Sequence, residues 1–167
     1  MKKLLLDGHQ IYKKTPWLNW KELLYGFKHG LIDEKGVSEY ACEALTEMSL
    51  QEAIELASLL PQEDYLATNL LQSLADKDLS AETDTAKPWI FLLLSFLFEH
   101  QENYEDPFEI VEEIYADFDY PEEIAPLVRY MPPPEGVEGS EERLFENWKT
   151  ALSVYKDFFE QQNRFSQ

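Results

Sequence analysis

The stretch Pro88 to His100, PWIFLLLSFLFEH, leaves the chain few ways to fold. From Trp89 to Phe98, nine of ten residues are large and apolar, and only Ser95 interrupts. A helix that is apolar on every side must be enclosed by other parts of the protein. Pro88 suits a first helical turn, where its missing N–H would be unpaired anyway. The run is too short for a bilayer, which takes about 20 residues. It reads as a central helix with other helices packed round it.

The flanking sequence supplies those helices. Asn19 with Glu22 is a capping box that starts a helix over Trp20–His29, and Gly30 is a left-handed stop. Asp33 caps a second helix, Glu34–Thr46, with Val37, Tyr40, Ala41, Ala44 and Leu45 as its buried stripe. Ser49 with Glu52 reads as another capping box, followed by a helix that turns Leu50, Ala53, Ile54, Ala57 and Leu60 inward. Pro61 opens a helix over Gln62–Ala75 with Leu66, Leu70, Leu71 and Leu74 buried, and Asp76–Ala86 is a polar loop.

Beyond His100, Asp106-Pro107-Phe108-Glu109 combines a cap, a first-turn proline and an acid in the first turn. That helix runs to about Asp117, and Tyr120-Pro121 restarts a shorter one through Val128. Three prolines then make 132–139 a loop. Ser140 caps a last helix from Glu141 to about Asn163, with Leu144, Phe145, Trp148, Leu152, Tyr155 and Phe159 as its stripe. Residues 1–18 read as irregular with one helical turn, and the tail after Arg164 is expected to fray. No stretch alternates long enough for a strand, and no fixed-period repeat appears. The expectation is an all-α fold, a compact irregular bundle of seven to eight helices around a central apolar helix (88–100). A single helical domain spans 1–167, loosely ordered at 1–18 and 164–167.

Charge narrows the partners. The net charge is −19, and it is uneven. Residues 1–32 hold six lysines against two acids; the remainder holds eight Lys/Arg against 31 Asp/Glu. Between Pro88 and Val128 there are eleven acids and no Lys or Arg. Such a field repels phosphate backbones, which argues against nucleic acid, and it attracts basic proteins. The same charge also serves plain solubility. One cysteine, Cys42, excludes an internal disulfide and suits a reducing cytosol. The opening MKKLLLDGHQ carries only three leucines before Asp7, short of the 7–15 apolar residues of an export signal. The expected location is the cytoplasm, with no membrane partner.

Chemistry is hard to find. Glu109, Glu112 and Glu113 share a helix, and Glu99-His100 closes the one before, so a carboxylate–histidine metal site built on Glu99, His100 and Glu109 is a formal option. A di-iron bundle needs two Glu-x-x-His motifs, and none is present. His29 and His100 sit at helix ends, where a cation suits the macrodipole. No nucleophile elbow, phosphate loop or dinucleotide fingerprint occurs. The expectation is therefore no catalytic residue, no metal ligand, no cofactor and no enzyme.

The segment Asp117, Phe118, Asp119, Tyr120, Pro121, Glu122, Glu123 interleaves aromatics and acids between two helices. One reading packs the rings inward and leaves the acids solvated. The other makes Asp117, Asp119, Tyr120, Glu122 and Glu123 a partner-binding corner, because aromatics anchor interfaces and the acids would meet a basic partner. Arg129, the first Lys or Arg after Lys87, is expected to form an internal ion pair with an acid of the preceding helix.

WKELLYGFKHGL at Trp20–Leu31, ELASL at Glu55–Leu59, Trp89, and above all DPFEIVEEIYADFDYPEEIAPLVRYMP at Asp106–Pro132 resemble the bacterial Domain of Unknown Function 2247 family. The resemblance covers about residues 17–160 and implies no activity and no transferable site residues. By analogy with small acidic immunity proteins, the functional expectation is a non-enzymatic interaction domain that neutralises a basic toxin. The competing readings are a scaffold protein whose acidity serves solubility and the carboxylate–histidine metal protein.

Overall fold

Side-chain caps start four of the helices. The computed structural model describes residues 4–132, 136 and 139–162. Among these there are eight α-helices, three short 3-10 turns and no strand, so the chain is all-α. The helices gather into two compact units, Lys2–Trp89 and Ile90–Gln167.

The first unit opens with α1, Gly8–Lys14, where one helical turn was expected in an irregular segment. Asp7 caps it by accepting from the His9 and Gln10 N–H groups. Helix α2, Trp20–Lys28, has the expected capping box between Asn19 and Glu22, and Gly30 follows it at φ 71°. Helix α3 is Glu34–Ala44, capped by Asp33. Gly8 lies hard against α3: a Cβ there would sit 2.0 Å from the Gly36 carbonyl oxygen. The Tyr40 hydroxyl donates to the Thr15 and Leu18 carbonyls, fastening α3 to the α1–α2 link.

Helix α4, Gln51–Ala57, departs from expectation. It buries Ala53 and Leu56, while Leu50, Ile54 and Leu60 stand outside at 45%, 42% and 53% exposure. The expected Ser49–Glu52 capping box does not form. Ser49 Oγ instead accepts from the Thr46 N–H at 2.8 Å, and Glu52 pairs with Lys77 and accepts from Ser73 Oγ. Leu45, expected inside, is also exposed. A 3-10 turn, Pro61–Leu66, replaces the first turn of the next helix, and α5 is Ala67–Lys77. Helix α6, Lys87–Glu99, begins in this unit, with Trp89 fully buried.

The second unit takes the rest of α6. Residues Ile90–Ser95 and Leu97 are buried. Helix α7 is Pro107–Asp117, and α8 is Glu141–Gln161, capped by Ser140 as expected. Phe91 meets Tyr155 and Phe159, and Phe98 meets Trp148, whose indole N–H donates to the Leu94 carbonyl. The helix expected from Pro121 to Val128 is reduced to one 3-10 turn, Ala125–Leu127. Pro126 inside it donates no N–H, so the segment turns through three-residue bonds, such as Leu127 N–H to the Ile124 carbonyl at 2.8 Å, and is packed by burial of Ile124, Leu127 and Val128. Most of the expected 132–139 loop, and the tail after Arg164, lie outside the described residues.

Candidate functional site

The strongest functional geometry is the corner where α7 ends. Asp119 and Tyr120 have φ of 62° and 58°, two consecutive left-handed residues without a glycine. The Tyr120 N–H donates to the Tyr115 carbonyl at 2.8 Å, and the Asp119 N–H to that of Ala116 at 3.2 Å. This is a Schellman termination with aspartate in the place usually taken by glycine. Aspartate tolerates that conformation; tyrosine is strained in it. Such strain persists only where the surroundings over-determine the backbone, and it gathers at functional positions.

The strained turn presents an aromatic group. Tyr115 is buried on α7, and the Tyr120 ring packs edge-on against it at 5.2 Å. Tyr130 approaches the same ring at 6.5 Å. Tyr120 and Tyr130 are 58% and 62% exposed, so the corner shows two rings held by one buried ring. Desolvation, then the Tyr115 and Tyr120 hydroxyls and Glu112, raises the Tyr130 hydroxyl above its ordinary pKa. Around the corner Asp117, Asp119 and Glu122 are exposed, and Glu123 is half-buried. Of the five residues singled out from sequence, four therefore offer their side chains to solvent.

Arg129 holds the return segment against α7. Its Nε donates to Glu112 at 2.8 Å and its Nη1 lies 3.0 Å from Asp106. Asp106 makes no side-chain cap bond to α7, because its carboxylate is spent on the guanidinium. Hydrogen bonding to Glu112, joined by Asp106, raises the Arg129 pKa. Tyr130 follows directly, so this pairing positions the second exposed ring. Tyr115 and Tyr130 were not among the residues expected to bind a partner: helical spacing places Tyr115 on the buried stripe of α7, and Tyr130 directly follows Arg129. Beside Arg129 is a recess of about 810 Å³, walled by Phe108, Val128 and Leu144 and reached by the Arg143 side chain.

The metal reading gains no geometry. Among the described residues no group of three or more His, Cys, Asp or Glu is placed to hold a metal ion. The His100 ring stacks on the Phe96 ring, and its N–H donates to the Phe96 carbonyl at 2.9 Å. His29 does the same with Tyr25, at 2.8 Å. Both rings thus close helix ends by adding a second bond to a carbonyl that already accepts from the same histidine's backbone N–H. Among the described residues no helix is long and apolar enough to cross a membrane.

Residues 9–156 match the family model described as an uncharacterised protein conserved in bacteria, DUF2247. The chain belongs to this family. No curated protein and no solved structure matches it. The DUF2247 match takes in most of the helical Lys2–Trp89 unit and the whole Tyr120 corner.

Proposed function

We propose that this DUF2247 protein is a non-enzymatic interaction module that receives a basic protein at the Asp117–Glu123 corner, as an immunity protein receives a basic toxin. The observation that carries the reading is the left-handed Asp119–Tyr120 pair, which holds an exposed tyrosine ring among acids at a conformational cost. A rigid aromatic anchor loses little entropy on binding, and surrounding carboxylates steer a cationic surface toward it. The absence of Lys and Arg from 88–128 keeps that field free of competing charge along the chain. Cys42 is a free, exposed thiol, which fits action in a reducing cytoplasm.

The test is affinity capture from the native bacterium at low and high salt, with the wild type beside an Asp117→Asn, Asp119→Asn, Glu122→Gln, Glu123→Gln variant. A stoichiometric basic protein, held by the wild type at low salt and lost by the variant, is the expected result. Retention by the variant, or indifference to salt, would overturn the reading. Circular dichroism of both proteins separates lost binding from lost folding.

A further inference from the structure

We propose that a second surface, built by Met48, Leu50, Ile54 and Leu60, docks a basic amphipathic helix. Single exposed apolar residues are ordinary, but a concentration of them marks a binding surface. Met48 is 89% exposed, Leu60 53%, Leu50 45% and Ile54 42%, all within thirteen residues of the chain. Leu50 is the N-cap residue of α4 and Ile54 stands one turn further on, both exposed, while Ala53 and Leu56 face the interior.

The platform is held in place from below. Glu52 of α4 pairs with Lys77 and accepts from Ser73, both on α5. The turn that presents Met48 is closed by Ser49 Oγ accepting from the Thr46 N–H, and by the Met48 N–H donating to Thr46 Oγ1 at 3.2 Å. An exposed methionine adapts to varied apolar partners.

Charge selects the occupant. From Gly36 to Asp76 the chain has no Lys or Arg. Glu47 adjoins Met48 and Glu55 adjoins Ile54 in sequence, and both are exposed. Exposed apolar side chains interleaved with exposed carboxylates complement a helix with an apolar stripe and lysine or arginine flanks. A second copy of this chain, at −19, would set like charges against each other. The surface is independent of the Tyr120 corner and uses none of its residues.

The probe is a fluorescent leucine–lysine peptide with leucine at i, i+3, i+4 and i+7, compared with a scrambled peptide of equal composition and with a leucine–glutamate analogue. Binding is read by anisotropy and mapped by amide chemical shifts. The striped basic peptide is expected to bind, with shifts at 45–60, and both control peptides to bind at least about tenfold more weakly. A Met48→Ser, Leu50→Ser, Ile54→Ser variant, whose charge is unchanged, is expected to lose about tenfold or more in affinity. Met48→Ser alone, in an exposed turn, checks that result without risk to α4. Tyr120→Ala is expected to bind the peptide as the wild type does. Equal binding by the serine variants, shifts confined to the Tyr120 corner, or loss of binding in Tyr120→Ala would overturn the proposal. So would a wild-type dimer that the serine variants dissolve, which would make the occupant a second copy.

Discussion

The indole of Trp89 lies directly on Gly26, in the space where any other residue would carry its Cβ. A Cβ at Gly26 would stand 2.0 Å from Trp89 Cζ2 and 2.3 Å from Cε2. One turn earlier, the Glu22 carbonyl accepts from Trp89 Nε1–H at 2.7 Å. The glycine admits the ring and the carbonyl fixes its direction. On helix propensity alone, Gly26→Ala would stabilise α2 by about 1 kcal/mol. Overpacking a fully buried ring typically costs about 1–3 kcal/mol, and here the clash is with a rigid indole. Gly26→Ala is therefore expected to lower the thermal midpoint, and a rise would show that the contact is softer than it stands.

Arg129 joins Glu112 and Asp106 at the protein surface, with its own side chain 42% exposed. Solvent screens such a network, so its removal should cost no more than about 1 kcal/mol. Arg129→Met is expected to unfold in urea at a slightly lower midpoint with an unchanged slope. The larger effect should be local. Releasing the segment before Tyr130 is expected to change the Tyr130 ring resonances while leaving those of Trp89 in place.

Hydrogen bonding from Lys77, reinforced by Ser73, lowers the Glu52 pKa to about 2. A carboxylate depressed in the folded state contributes stability above its unfolded pKa and loses it as pH falls toward its folded one. The wild type should thus exceed Glu52→Gln in stability by a constant margin at neutral pH. That margin should shrink from about pH 4.5 downward and close near pH 2. Urea titrations across that range check it; a margin unchanged by acid would show that the Lys77 pairing contributes nothing.

Asp119 occupies the left-handed position that glycine normally fills at a helix end. Asp119→Gly is expected to raise stability by up to about 1 kcal/mol, since glycine adopts that conformation without steric cost. If the corner binds a basic partner, the same substitution removes a carboxylate and weakens capture. More stability with less binding is the signature of strain kept for function. Differential scanning calorimetry beside the capture assay reads both.

Local chemistry in the sequence accounts for the starts of several helices. Asn19 with Glu22, Asp33 and Ser140 act as caps where their types and spacing indicate, because a cap needs only its own backbone neighbours. The α8 stripe through Trp148, Tyr155 and Phe159 was legible because a long periodic helix has one clear face. The exposed acids of the corner were legible as composition. Their presentation was not, since no glycine marks 119 or 120 and the left-handed turn depends on Tyr115 holding Tyr120.

Elsewhere distant partners prevailed. Asp106 looks like a cap, yet Arg129, twenty-three residues on, takes its carboxylate. Glu52 looks like half of a capping box, yet Lys77 and Ser73 draw it to α5. With that side of α4 turned inward, Ala53 and Leu56 are buried and Leu50 and Ile54 are left outside. In a seven-residue helix, apolar spacing permits more than one inward face. Neighbouring residues are enough to say where several of these helices start and that they are helices, because those bonds close within a few residues. Which face each short helix buries was settled by folding, through charged and packing partners far away along the chain.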